Sequence, residues 1–129
     1  MTPILQYLVI GIAFVIVDSV WLVAIANKFY KQQLGDLLKP KPNLVPAIIF
    51  YLLYVFGIQV FALSPALQNE SFIEAVWRGG LLGLLMYATY DLTNQSTIKK
   101  WPLKVTLVDL AWGTFVTALT AAVAFLLFD

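Results

Sequence analysis

The sequence predicts an all-α integral membrane protein, a four-transmembrane-helix bundle forming a single domain of 129 residues. Three observations predict it. The residues are 61% hydrophobic with a mean hydropathy of +0.87, well above the roughly half-apolar composition of soluble domains. Four apolar stretches follow one another along the chain, each near the roughly 20 residues a helix needs to cross the hydrocarbon core. The charged residues are only 12% of the total and gather mostly between those stretches.

Composition also excludes whole classes of function. Eight Lys plus Arg against seven Asp plus Glu leave a net charge of +1, which gives no sign of a nucleic-acid partner. Without cysteine there are no disulfides, thiolate metal sites or cysteine nucleophiles. Without histidine there is no imidazole-bound zinc or haem and no Ser-His arrangement. The sequence therefore calls for no cofactor and assigns no catalytic residue, and it leaves the question of a metal open.

The first span covers about residues 3–27, with Asp18 its only charge. It differs from a signal peptide in having no basic flank, an overlong apolar core with an acid inside it, and no small-residue cleavage site. In the loop KFYKQQLGDLLKPKPN, Lys28, Lys31, Lys39 and Lys41 outnumber Asp36. Leu34, Leu37 and Leu38 suggest a short interfacial turn of helix before Pro40 and Pro42 break the chain. The second span, about 44–64, tolerates Pro46 in its first turn and is expected to close at Ser64 and Pro65. An acidic connection with Glu70 and Glu74 leads to Trp77, at the level of an interfacial anchor, and to a third span over about 75–96. Trp101, read as another such anchor, and Pro102 precede the fourth span, about 103–128.

Loop charge predicts orientation. Seven lysines lie in or beside the first and third loops, whereas Arg78 is the only base near the second. The positive-inside rule then sets both basic loops in the cytoplasm and both termini outside, in a multi-pass protein of the bacterial inner membrane. On that topology Asp18, Asp91 and Asp109 all fall in the cytoplasmic half of the membrane. An acid in a span is costly and is by default a functional candidate facing protein or water.

Helical spacing tests whether the acids face one another. Gly80, Gly83, Tyr87, Tyr90 or Asp91, and Asn94 share a face of the third span; Thr106, Asp109, Gly113, Thr117, Thr120 and Ala124 share one of the fourth. Gly11, Asp18, Trp21 and Ile25 form the corresponding stripe on the first. Small and hydroxyl residues mark protein-facing sides in lipid, with Gly79 and Gly83 at GxxxG spacing, so these faces pack within the bundle or form a homodimer. Asp18-Ser19-Val20-Trp21 and Asp109-Leu110-Ala111-Trp112 each put an indole one turn from a carboxylate, and the second span offers Tyr51, Tyr54 and Gln59.

The candidate binding site is therefore a cytoplasm-side pocket of Asp18, Trp21, Tyr90, Asp91, Asn94, Asp109 and Trp112, with Tyr87 and Thr106 as second-tier members. A purely structural reading stands beside it: Asp91 paired with Lys99, Lys100 or Lys104, and Asp18 and Asp109 bonded to Thr106, Tyr90, Asn94 or the indoles. TYDLTN, KKWP and VDLAWG, with the earlier DSVWL and KFYKQQLG, resemble a family of small bacterial membrane proteins defined as a domain of unknown function. The resemblance spans nearly the whole chain and implies a four-span inner-membrane protein, with a loose pointer to neighbouring lipid-modifying or stress-related genes.

Two functions from different classes fit these residues. One is binding or transport of a cation or cationic small molecule, with carboxylates as hard ligands or proton acceptors and aromatic faces for cation–π contact. The other is a membrane enzyme or an accessory or scaffold subunit that binds a lipid or small amphipathic metabolite in the same pocket. Ser19 and Thr93 have no partner base, which points away from an enzyme.

Overall fold

The computed structural model describes residues 2–38 and 43–129, so Pro40 and Pro42, with Lys39 and Lys41, lie outside the described residues. Four long helices succeed one another: α1, Thr2–Leu37; α2, Leu44–Gln68; α3, Phe72–Thr97; and α4, Leu103–Phe128. The described residues include no strand. The turns at residues 69–71 and 98–102 are too short for anything but antiparallel neighbours, so α2, α3 and α4 run up and down. Gln59 of α2 donates to the Pro3 carbonyl at 2.7 Å, which brings the late part of α2 to the start of α1.

The bundle is apolar outside and buries acids and threonines among the apolar side chains of its core. Val23, Ile4, Ile12, Leu53 and Leu126 are all more than half exposed, while Asp91, Thr106, Thr117 and Thr120 are buried. In water this distribution would leave a large unpartnered apolar surface; in lipid it is the stable one. By length and composition α1, α2 and α4 can each cross a membrane. α3 matches them in length, but Arg78, Asp91, three glycines and two tyrosines make it the least apolar of the four.

Two helices contain a π turn. In α1, residues Leu22–Ala26 form one, and the Asn27 N–H bonds to the Leu22 carbonyl five residues back. The extra residue per turn rotates everything beyond it. Ile10, Phe14 and Asp18 are buried in regular order, but the stripe then resumes at the fully buried Ala26, leaving the expected Ile25 55% exposed. The regular α-helical part of α1 ends at Leu34, where Gly35 takes a positive φ of 50°, and Gly35–Leu37 then forms the short turn of helix expected there.

In α2 the π turn is Gln59–Leu63, and here it explains a correction. Ser64 and Pro65 do not close the helix, which continues to Gln68. A proline inside a regular helix removes a hydrogen bond and collides with the carbonyl four residues back. The π turn loosens the ladder just before Pro65, with Ser64 bonding to Gln59, and the ring is accommodated.

The most extensive interface joins α3 to α4. A methyl group at Gly79 would come within 2.8 Å of the Thr117 carbonyl oxygen, one at Gly83 would overlap the Gly113 carbonyl, and one at Gly113 would overlap the Tyr87 ring. The glycine stripe read from the sequence is thus used within the chain, as backbone-to-backbone packing. α3 starts at an N-cap, with the Ser71 hydroxyl accepting from the Glu74 N–H at 3.2 Å, while the Glu74 carboxylate accepts from the Asn69 side chain at 2.8 Å. Tyr54 of α2 crosses to this seam and donates to Thr117, whose own hydroxyl bonds to the Gly113 carbonyl at 2.7 Å.

This packing makes a stability prediction. Gly83→Ala and Gly113→Ala should each lower stability by about 1–3 kcal/mol through overpacking. Gly57→Ala, where the added carbon would meet only Leu82 at 4.0 Å, should leave it unchanged or slightly raised. Unfolding in detergent, followed by circular dichroism, measures all three.

Candidate functional site

The cavity lies at the end of the bundle where α1 finishes, α2 begins and α3 turns into α4. It has a volume of about 1370 Å³. Asp18, Trp21, Tyr30 and Lys31 line it from α1, Tyr51 from α2, Tyr87 and Tyr90 from α3, Trp101 from the following turn, and Asp109 and Trp112 from α4.

Asp18 is held by two neutral donors. The Tyr51 hydroxyl donates to Oδ2 at 2.8 Å and the Trp112 indole N–H to Oδ1 at 3.3 Å. Hydrogen bonds to a charged acceptor contribute about 1.5–3 kcal/mol each, and here they hold the carboxylate in place without neutralising it. Trp21 lies flat on Trp112, with ring centroids 4.4 Å apart and an 11° angle between planes. The two Asp-x-x-Trp tetrads therefore meet as an indole stack above one carboxylate.

Asp109 accepts a hydrogen bond from the Tyr30 hydroxyl. Asp91 does not line the cavity. It is fully buried, the antiparallel register that sets Gly83 against Gly113 and Tyr87 against Gly113 brings it beside Asp109, and neither Asp91 oxygen has a hydrogen-bond partner among the described residues.

The structural alternatives resolve case by case. Asp91 makes no ion pair with Lys99, Lys100 or Lys104; among the described residues the only ion pair is Arg78 with Glu74, at 3.9 Å. Asp18 does bond an indole. Asp109 bonds Tyr30 rather than Thr106, Tyr90 or Asn94.

Of the residues singled out from sequence, Asp18, Trp21, Tyr87, Tyr90, Asp109 and Trp112 share the cavity wall. Tyr90 stands at its rim, 59% exposed, with its edge against Trp101 at 5.9 Å. Asn94 and Thr106 are not on the wall. Thr106 acts one step back, accepting the Trp101 indole N–H at 3.2 Å. Gln59 lies at the opposite end of the bundle, against Pro3 and Gln6.

Sequence reasoning missed Tyr30, Lys31 and the inward role of Trp101. Tyr30 was assigned to a loop, and only the π turn upstream brings it round to Asp109. No group of three potential metal-ligating side chains converges among the described residues.

An apolar exterior, a polar seam and a cavity between helices at one end define a helical-bundle membrane protein. The chain belongs to the family described as "Predicted membrane protein (DUF2177)", whose model matches residues 3–126. Neither a curated protein nor a solved structure matches it.

The indole stack has a spectroscopic signature. Parallel indoles this close couple excitonically, so near-ultraviolet circular dichroism should show a signal that Trp21→Phe and Trp112→Phe each abolish and Trp77→Phe leaves intact. Survival of the signal in both of the first two variants would contradict the stack.

Proposed function

We propose that this membrane protein binds a cation or cationic small molecule in the acidic and aromatic cavity, as a carrier or receptor for it rather than as an enzyme. The observation that carries this reading is the absence of countercharge. Asp18, Asp91 and Asp109 come from three helices, are buried, and form no ion pair among the described residues. The hydrogen bonds to Asp18 and Asp109 come from neutral groups, and Lys31 is the one base among the described lining residues.

Magnitudes favour a cation over the other occupants considered. At about 4 Å and an effective dielectric constant of 20, one carboxylate attracts a monovalent cation by about 4 kcal/mol. The faces of Trp21, Trp112 and Tyr51 add about 0.5–2 kcal/mol of cation–π attraction per contact. An anionic lipid head group would meet the same acids as a repulsion of similar size, opposed among the described lining residues only by Lys31. The aromatic walls suit an organic cation with apolar surface better than a bare ion, which demands several oxygen ligands.

The reading includes an orientation. Lys28, Lys31, Lys99, Lys100 and Lys104 all lie near the cavity end of the bundle, which supports a cytoplasmic opening with both termini outside the plasma membrane. The chain lacks cysteine, so single-cysteine variants report this directly. A membrane-impermeant maleimide applied to intact cells should label Gln68→Cys and not Ser96→Cys; the reverse pattern refutes the orientation.

Binding itself is tested with tetraphenylphosphonium on the purified protein, by calorimetry in buffers of different protonation enthalpy. Wild type should bind it with release of protons, and Asp18→Asn and Asp109→Asn should each weaken binding at least tenfold, or about 1.4 kcal/mol. Indifference of binding to both substitutions would rule the reading out.

A further inference from the structure

We infer that Asp91 and Asp109 form a proton-binding pair, one carboxyl and one carboxylate sharing a single proton, with Asp109 on the cavity wall, Asp91 off it, and a role distinct from that of Asp18. Asp91 is 0% exposed, and neither of its oxygens has a donor among the described residues. The α3–α4 register that sets Gly83 and Tyr87 against Gly113 places another acid, Asp109, beside it, and Asp109 accepts from the Tyr30 hydroxyl.

Two ionised carboxylates side by side in an apolar interior repel each other, and a buried acceptor with no donor carries its full desolvation cost. A single proton between them removes both penalties. It makes one acid the donor that the other lacks, as in paired-carboxylate sites elsewhere. A metal ion is the poorer occupant, since no third carboxylate, imidazole or thiol converges on the pair among the described residues.

The titratable groups around Asp91 are Asp109 from α4, Tyr30 from α1 and Tyr90 beside it on α3, and none is a base. α2 faces Asp18 instead, through Tyr51. Asp18 differs in the respect that matters: each of its oxygens accepts a hydrogen bond, from the Tyr51 hydroxyl and the Trp112 indole N–H. The three acids thus divide into a carboxylate dressed by an indole and a phenol at the cavity wall, and a dry pair screened by Tyr30. In the cation-binding reading, the proton on this pair is the one an arriving cation displaces. The pair itself rests on the geometry alone.

Infrared spectroscopy tests this without any cationic ligand. A protonated carboxyl in dry surroundings has a C=O stretch separate from carboxylate bands, and the band shifts after exchange into D₂O. Wild-type protein in phosphatidylcholine vesicles at neutral pH should show such a band, which Asp18→Asn should retain. Asp91→Asn and Asp109→Asn should each lose it while keeping the fold, because the new amide donates to the remaining carboxylate in place of the shared proton. Absence of the band from wild type, or its survival in both Asp91→Asn and Asp109→Asn, would overturn the proposal. If one variant fails to fold, the other decides; if both fail, presence or absence of the band in wild type and Asp18→Asn decides. Since no cation enters the measurement, its outcome and that of the tetraphenylphosphonium titration can fail separately.

Discussion

The close approach of α3 to α4 is the constraint on which the rest of this molecule depends. Gly79 and Gly83 let the α3 backbone come against Gly113 and Thr117 of α4 with no room for a side chain between them. Such a contact admits very little sliding. It therefore fixes the register of the two helices, and that register carries Asp91 to the side of Asp109 two to three turns further along. In lipid there is no hydrophobic gain from pressing apolar helices together, so close packing and hydrogen bonds between helices supply the association energy. Tyr54 adds one such bond by reaching from α2 to Thr117.

From that register follows an electrostatic problem. A soluble protein would solve it with a lysine or arginine, but here Lys28, Lys99, Lys100 and Lys104 are exposed and, among the described residues, only Lys31 reaches the wall. The acids instead have phenols and an indole, which position a carboxylate without cancelling it. On the proposed reading, this site, held in shape by neutral donors, takes its positive charge from outside and gives it up again. A permanent ion pair would be both more stable and useless for exchange.

Much of this was legible in the sequence where helical geometry is regular. On α4 the residues Thr106, Asp109, Gly113, Thr117, Thr120 and Ala124 were read as one face, and all are buried together. On α3 the spacing left Tyr90 and Asp91 as alternatives for one position; the structure turns Asp91 inward and leaves Tyr90 at the rim. Reading failed where the helix departs from 3.6 residues per turn. The stripe on α1 was extrapolated from Trp21 to Ile25, and the π turn at Leu22–Ala26 moved it to Ala26 and on towards Tyr30. Pro65 was taken as a terminator because a π turn, which accommodates it, has no sequence signature as plain as the proline itself. Trp101 was read as an anchor by its place at a span end, a criterion blind to which way an indole points.

The π turn on α1 is more than an exception to a rule. Such turns are rare and recur at functional sites, and this one lies between Trp21 and Tyr30, two of the residues that line the cavity. It links the indole stack over Asp18 to the phenol over Asp109, and so joins the acids of separate helices into one recess. The most direct test of that shared recess is carboxyl modification by dicyclohexylcarbodiimide in membranes, read by mass spectrometry with and without saturating tetraphenylphosphonium. If the account is right, Asp109 acquires an adduct and the cation protects it, although the indoles that face the cation lie over Asp18. Modification of Asp109 to the same extent in the presence and absence of the cation would contradict it.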